Sequence, residues 1–214
     1  MSQWDAVGEA AAAARRVNRA LAGRRVDDAQ LVEIARSLND AADVLEAGEP
    51  RVKLDDMLTR PHLAEIYAGR YAPMPVADGE ELEFDPFSIG GGHLHPASVG
   101  VTFRRESDTA VTATCTLDPM FAGPPERAHG GMIAAVFDEV MGALIRMRGR
   151  QAFTAGLTVD YRAPTPLGEP LRFRAWVVAT ERRKVTLRGT ADGPDGLCAE
   201  AESLYIERED QPTP

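Results

Sequence analysis

Cysteine, positive charge and long apolar runs are all in short supply in this 214-residue chain. The two cysteines, Cys115 and Cys198, fall in strand-like stretches without metal-ligand spacing. They read as packed free thiols, which argues against a disulfide scaffold or a zinc cluster. No run of about twenty apolar residues is present, so no membrane span is expected. The amino end lacks a basic-then-apolar leader, which makes a soluble, cytoplasmic protein the expectation. Acidic residues outnumber basic ones by 33 to 24, for a net charge of −9, and this speaks against a nucleic-acid partner. The run Gly90-Gly91-Gly92 has no Lys-Ser or Lys-Thr after it and is no phosphate-binding P-loop. His62, His93 and His95 share that region without a cysteine or carboxylate in a ligand pattern, so neither a metal nor a resident cofactor is expected. No internal repeat appears.

What is present centres on Ala128-His129-Gly130-Gly131 and the run after it. From Met132 to Met147 apolar side chains occur at nearly every helical angle: Met132, Ile133, Val136, Phe137, Val140, Met141, Leu144 and Ile145. A helix apolar all round is enclosed by other structure. Two adjacent acids, Asp138 and Glu139, stand in it, and burying a carboxylate is costly unless something compensates. Asp138 lies about 13 Å beyond His129 along the axis and about half a turn round. The helix start and this acid therefore do not meet on one small reacting group within one copy. A two-fold axis beside the helix would bring them together across two copies.

The remaining elements follow from pattern. Residues 4–21, with the alanine run Ala10 to Ala14, predict a helix. A second, capped by Asp27 or Asp28, carries Leu31, Ile34, Ala35, Leu38, Ala42 and Leu45 and stops at Gly48-Glu49-Pro50. The two predict a helical hairpin, an arm packed on the domain or on another copy. A short helix interrupted by Pro61 is expected between Leu54 and Tyr67, then loop to residue 100. Strands are predicted around Val99–Phe103, Ala110–Leu117, Ala152–Ala163, Leu171–Thr180, Lys184–Ala191 and Leu197–Glu207, with turn-forming residues between them.

His129-Gly130-Gly131 followed by Asp138, with Gly123-Pro124-Pro125 upstream, resembles the signature of hotdog-fold acyl-CoA thioesterases of the phenylacetate-degradation and 4-hydroxybenzoyl-CoA branch. Thr158-Val159-Asp160-Tyr161-Arg162-Ala163-Pro164-Thr165-Pro166-Leu167-Gly168 is similar to the strand after the central helix in that family. The likeness spans roughly residues 84–207 and implies an α+β hotdog fold, an antiparallel sheet wrapped round one helix. On it, residues 84–214 form the thioesterase domain and 1–83 a helical extension with a pocket-covering segment.

The resemblance implies hydrolysis of a fatty or aromatic acyl-CoA thioester to the free acid and coenzyme A, in a homodimer or dimer of dimers. Coenzyme A would be part of the substrate. Alternatives are a non-catalytic hotdog module that binds acyl-CoA or lipid, and a thioesterase acting on acyl-carrier-protein thioesters. Asp138 is the implied general base or nucleophile. Unpaired amides at the helix start suit the oxyanion, with the Gly131 N–H as candidate donor, Gly130 second, and His129 shaping the turn or donating a bond. Arg182, Arg183 and Lys184 form a compact basic cluster at a hairpin tip, suited to coenzyme A phosphates. Two departures stand out. Glu126-Arg127-Ala128 occupies the place where relatives carry Asn or Gln, and neither Met141 nor Gly142 offers the water-positioning hydroxyl of some branches.

Overall fold

The structure, a computed structural model, describes residues 3–59, 61–70, 72–82 and 85–209, without the side chains at 3, 53, 57, 62 and 66. Four helices come first: α1 (Gln3–Gly23), α2 (Asp28–Glu46), α3 (Lys53–Leu58) and α4 (Pro61–Tyr67). Then follow β1 (Glu81–Leu82), β2 (Thr102–Ser107), β3 (Ala110–Thr116), the long helix α5 (Gly130–Met147), β4 (Ala152–Tyr161), β5 (Pro170–Glu181), β6 (Lys184–Gly193) and β7 (Gly196–Glu207). The strands make one antiparallel sheet in the order β1-β2-β3-β5-β6-β7-β4. Five occupy nearly the predicted ranges, while β2 begins three residues later than expected and runs on to Ser107. The two-residue β1 is the addition, and it lies within the stretch assigned to the helical extension.

Strand alternation explains how the sheet takes a core. Leu171, Phe173 and Ala175 of β5 and Val185, Leu187 and Ala191 of β6 are buried, with polar residues between them. Helix α5 lies across this apolar face and buries Ile133, Val136, Phe137, Val140, Met141, Ala143, Leu144, Ile145 and Met147. Phe137 meets Phe173 edge-on with ring centroids 5.1 Å apart. The helix's other side is closed by the chain before β2. The Met74 N–H donates to the Met147 carbonyl, and Gly90 packs against the Glu139 side chain. That enclosure is why α5 carries apolar residues on every side.

Gly149, just past α5, has φ +67, and a Cβ there would fall 2.0 Å from the Ala72 carbonyl oxygen. Only glycine permits this turn beside that backbone. Pro61 sits at the first position of α4, where its missing N–H costs nothing, and it separates α3 from α4 as expected.

Helix α1 docks on the loop before β2. Ala11 is buried, Trp4 stands edge-on to Phe87 at 5.4 Å, and the Arg15 guanidinium donates to the carbonyls of His93 (3.0 Å) and His95 (2.7 Å). Helix α2 begins as predicted: Asp27 accepts from the Gln30 N–H at 2.9 Å. The expected hairpin does not form, because α2 buries none of its residues and its stripe of Leu31, Ile34, Leu38 and Leu45 stays exposed. The physical reason is that α1 commits its packing face to the loop. Among the described residues no helix is long and apolar enough to cross a membrane.

Candidate active site

The start of α5 is built by its cap. His129 is extended (φ −67, ψ 130) and its Nδ1 accepts the Gly131 N–H at 2.9 Å. The His129 carbonyl accepts from Met132 (2.9 Å) and Ile133 (3.3 Å). The Gly131 amide, the first-choice oxyanion donor, is therefore held by the imidazole. The Gly130 amide has no hydrogen-bond partner among the described residues, and it carries the open donor of this turn. Tyr161 at the end of β4 donates its hydroxyl to the Gly130 carbonyl at 2.8 Å and pins the first turn to the sheet. Gly130, Ile133, Tyr161 and Arg162 border a surface cleft here.

Asp138 lies at a different cleft. Its Oδ1 accepts from the Thr154 hydroxyl at 2.7 Å, and the Tyr205 hydroxyl stands 3.2 Å from the same oxygen and 3.1 Å from the Asp138 carbonyl. Leu63 and Tyr67 of α4, Gly142, Arg146, Phe153 and Gln151 complete the walls. The segment before the sheet thus supplies pocket wall through α4.

A β-bulge sets this geometry. On β7, Ala199, Ala201, Ser203, Tyr205 and Glu207 are all buried. Their partners on β4 are Tyr161, Val159 and Leu157, and then, past the bulge, Thr154 and Ala152. Without the extra residue Ala155, odd-numbered positions would continue to face Asp138 and an alanine would replace the hydroxyl. The bulge reverses the alternation and delivers Thr154.

Glu139 makes different contacts. Its side chain lies on Gly90, where a Cβ would come within 2.7 Å of Cγ, and it bonds Ser88. Burial, chiefly, holds its carboxyl above the usual carboxylate range, against the opposing pull of Arg146. Arg146 is 3.7 Å from the buried Asp85. The two neighbouring acids thus serve different structures: Asp138 meets the sheet, Glu139 the loop.

Arg182, Arg183 and Lys184 are exposed at the β5–β6 turn, with Arg182 at φ +56. Arg183 donates to the Glu207 carbonyl (2.7 Å) and pairs with Glu209 (2.7 Å). It borders a shallow cleft with Arg208 and Phe153, and Phe153 also borders the Asp138 cleft. The basic turn therefore neighbours the Asp138 end of the sheet, not the start of α5. His95 Nδ1 accepts the Ala97 N–H, His93 is exposed, and the His62 side chain lies outside the described residues.

Residues 126–199 match the thioesterase superfamily profile. A solved structure described as a thioesterase superfamily protein aligns over 94% of this chain and 90% of its own, at 29% identity and a TM-score of 0.73. Over residues 126–199 this chain resembles the thioesterase superfamily. The acyl-coenzyme A thioesterase THEM4 of Xenopus laevis is 38% identical over 90 residues, covering 41% of this chain. The chain spans about 40% of the length of that relative. The Escherichia coli PaaI protein from the phenylacetic acid degradation operon aligns over 50% of this chain and 83% of its own, at 16% identity and a TM-score of 0.48, too distant to inform function.

The motif at the start of α5 was legible, and Tyr161 lay in the family-like stretch after it, but two hydroxyls near Asp138 were not. Thr154 and Tyr205 carry no local signal, since each acts through strand register. Thr154 places a hydroxyl on the Asp138 carboxylate from a neighbouring strand, where neither Met141 nor Gly142 of the helix offers one.

Proposed function

We propose that this protein is an acyl-CoA thioesterase, hydrolysing a fatty or aromatic acyl-CoA to the free acid and coenzyme A in sites shared between two copies. The observation that carries the reading is Asp138, held on one oxygen by Thr154 and Tyr205 at the wall of a cleft, on the helix whose start offers an open amide. In one turnover, Asp138 takes a proton from water as the water oxygen attacks the thioester carbonyl. The Gly130 N–H stabilises the oxyanion, the C–S bond breaks, and the thiolate leaves protonated as coenzyme A. Direct attack by the carboxylate, giving a mixed anhydride that water then opens, uses the same groups. The superfamily match and the likeness to an acyl-coenzyme A thioesterase support this substrate class.

The sharing of sites is supported by β4. It is the last strand of the sheet, ten residues long, with an outer edge unpaired among the described residues and with Phe153 and Tyr161 exposed. Such an edge invites pairing with another strand. Thr154 marks the Asp138 cleft and Tyr161 the helix start, roughly 24 Å apart at about 3.4 Å per residue. Antiparallel pairing of two β4 edges about a two-fold axis between Leu157 and Thr158 sets Thr154 opposite Tyr161 of the second copy. The Asp138 cleft of one copy then adjoins the open amide of the other. Arg183, beyond Phe153, lies where a phosphate at the far end of coenzyme A would reach.

The test is thiol release from a panel of acyl-CoA chain lengths, followed by mixing of variants. Asp138→Asn and Gly130→Val, each inactive alone, should regain about a quarter of wild-type activity when co-assembled, since each mixed dimer holds one intact site. No thiol release from any acyl-CoA by the wild type would leave a binding module as the better reading. Activity without complementation would end the shared-site account.

A further inference from the structure

We infer that Tyr205 is a positioning residue for Asp138, a phenol that follows the charge on that carboxylate by turning one O–H between two acceptors of the same residue. This rests on the reading of Asp138 as the reacting acid. Tyr205 is 3% exposed on β7, and its oxygen is nearly equidistant from Asp138 Oδ1 (3.2 Å) and the Asp138 backbone carbonyl (3.1 Å). A phenol has one proton to give and so serves one of these at a time.

While Asp138 is ionised, the stronger acceptor is Oδ1, and the phenol joins Thr154 in donating to it. Two donors on Oδ1 leave Oδ2 to face water or substrate. Once Asp138 has taken the proton from the attacking water, Oδ1 is a weaker acceptor and the O–H turns to the carbonyl. No heavy atom moves, and the buried hydroxyl is satisfied on both sides of the proton transfer. Burial, above all, holds the phenol above its ordinary range, so it remains a donor throughout.

The charged groups around it are few. Asp138 and Arg146 on α5 act on the phenol directly. Glu207, two residues along β7, is tied to Arg150. Register sets the arrangement, because Tyr205 is the direct cross-strand partner of Thr154 at the bulge. The two hydroxyls reach one oxygen as a pair. Phenylalanine would fill the same space and remove only the switchable donor.

The experiment compares wild type, Tyr205→Phe, and protein with 3-fluorotyrosine at position 205, a stronger donor, by pH profiles of kcat/KM on a short acyl-CoA. Tyr205→Phe removes one of the two donors to Asp138 Oδ1, so the acid limb of its profile should lie above that of wild type. It should lower kcat about tenfold with KM changed less than about twofold, as expected for a group that acts on the chemical step. Fluorination should move the acid limb the other way, and this arm stands even if the phenylalanine variant fails to fold. Acid limbs that coincide with wild type, or that move in the same direction in both proteins, overturn the inference. The readings fail separately: an Asp138→Asn protein with wild-type turnover would remove the functional reading, whereas an inactive Asp138→Asn with unmoved Tyr205 profiles would remove only this one.

Discussion

Breaking the buried ion pair between Arg150 and Glu207 should cost far more stability than breaking one of the exposed pairs, such as Arg188 with Glu202. Arg150 follows α5, Glu207 ends β7, and their side chains are 10% and 3% exposed. Two hydrogen bonds join them: Nε to Oε1 at 2.9 Å and Nη2 to Oε2 at 2.5 Å. Arg150→Met keeps the apolar bulk but leaves Glu207 buried without its partner, which costs about 3–5 kcal/mol. Arg148 feels the charge of Glu207 and offsets part of this, so the low end is expected. With a urea slope of about 2 kcal/mol/M, the midpoint should fall by about 1.5 M. The double variant Arg150→Met with Glu207→Leu removes both charges and should return to within about 1 kcal/mol of wild type. The assay is urea unfolding at one fixed protein concentration, because assembly contributes to stability. A cost under about 1 kcal/mol for the single change, or a double variant as weak as the single, would refute the reasoning.

Three further outcomes follow. Glu139 has its carboxyl raised by burial, so the folded state prefers it protonated; stability is then full below the unfolded value near 4.3 and declines as pH rises through the raised one, and Glu139→Gln should flatten that decline in urea midpoints measured from pH 4 to 8. Gly149→Ala should destabilise strongly, by about 3 kcal/mol or more, because the new Cβ meets the Ala72 carbonyl and the residue must keep positive φ; a melting temperature within a degree of wild type would contradict this. Arg15→Ala removes the donor to the carbonyls of His93 and His95 and should speed amide exchange across residues 88–97 while the sheet stays protected.

The fold was readable because its signals are local. Alternation gave six strands, and the all-round apolar run of α5 announced a helix covered on both sides. The helix starting at Asp28 was equally legible from its Asp27 cap. Its packing was not, since a stripe at helical spacing says that a face wants cover without saying what covers it. At the site, His129, Gly130, Gly131 and Asp138 came from one contiguous motif. The choice between the two amides turned on the His129 ring, whose Nδ1 takes the Gly131 N–H, and no spacing rule foretells that. Thr154 and Tyr205 were hidden for a different reason: only strand register, with one extra residue at Ala155, brings a threonine rather than an alanine to Asp138. The basic turn at Arg182–Lys184 was seen as a cluster, but its neighbour Phe153 comes from a strand distant in sequence.

The most direct measurement compares Asp138→Asn with Glu139→Gln for kcat on an acyl-CoA and for affinity by equilibrium binding, after each is shown to fold and assemble. Asp138→Asn keeps size and helix while removing the base, so kcat should fall by roughly 10²–10⁴ with binding retained. Glu139→Gln, whose side chain packs on Gly90 and Ser88, should lose less than about tenfold. Near-normal turnover in Asp138→Asn, or equal losses in the two variants, would contradict the assignment of the chemistry to Asp138.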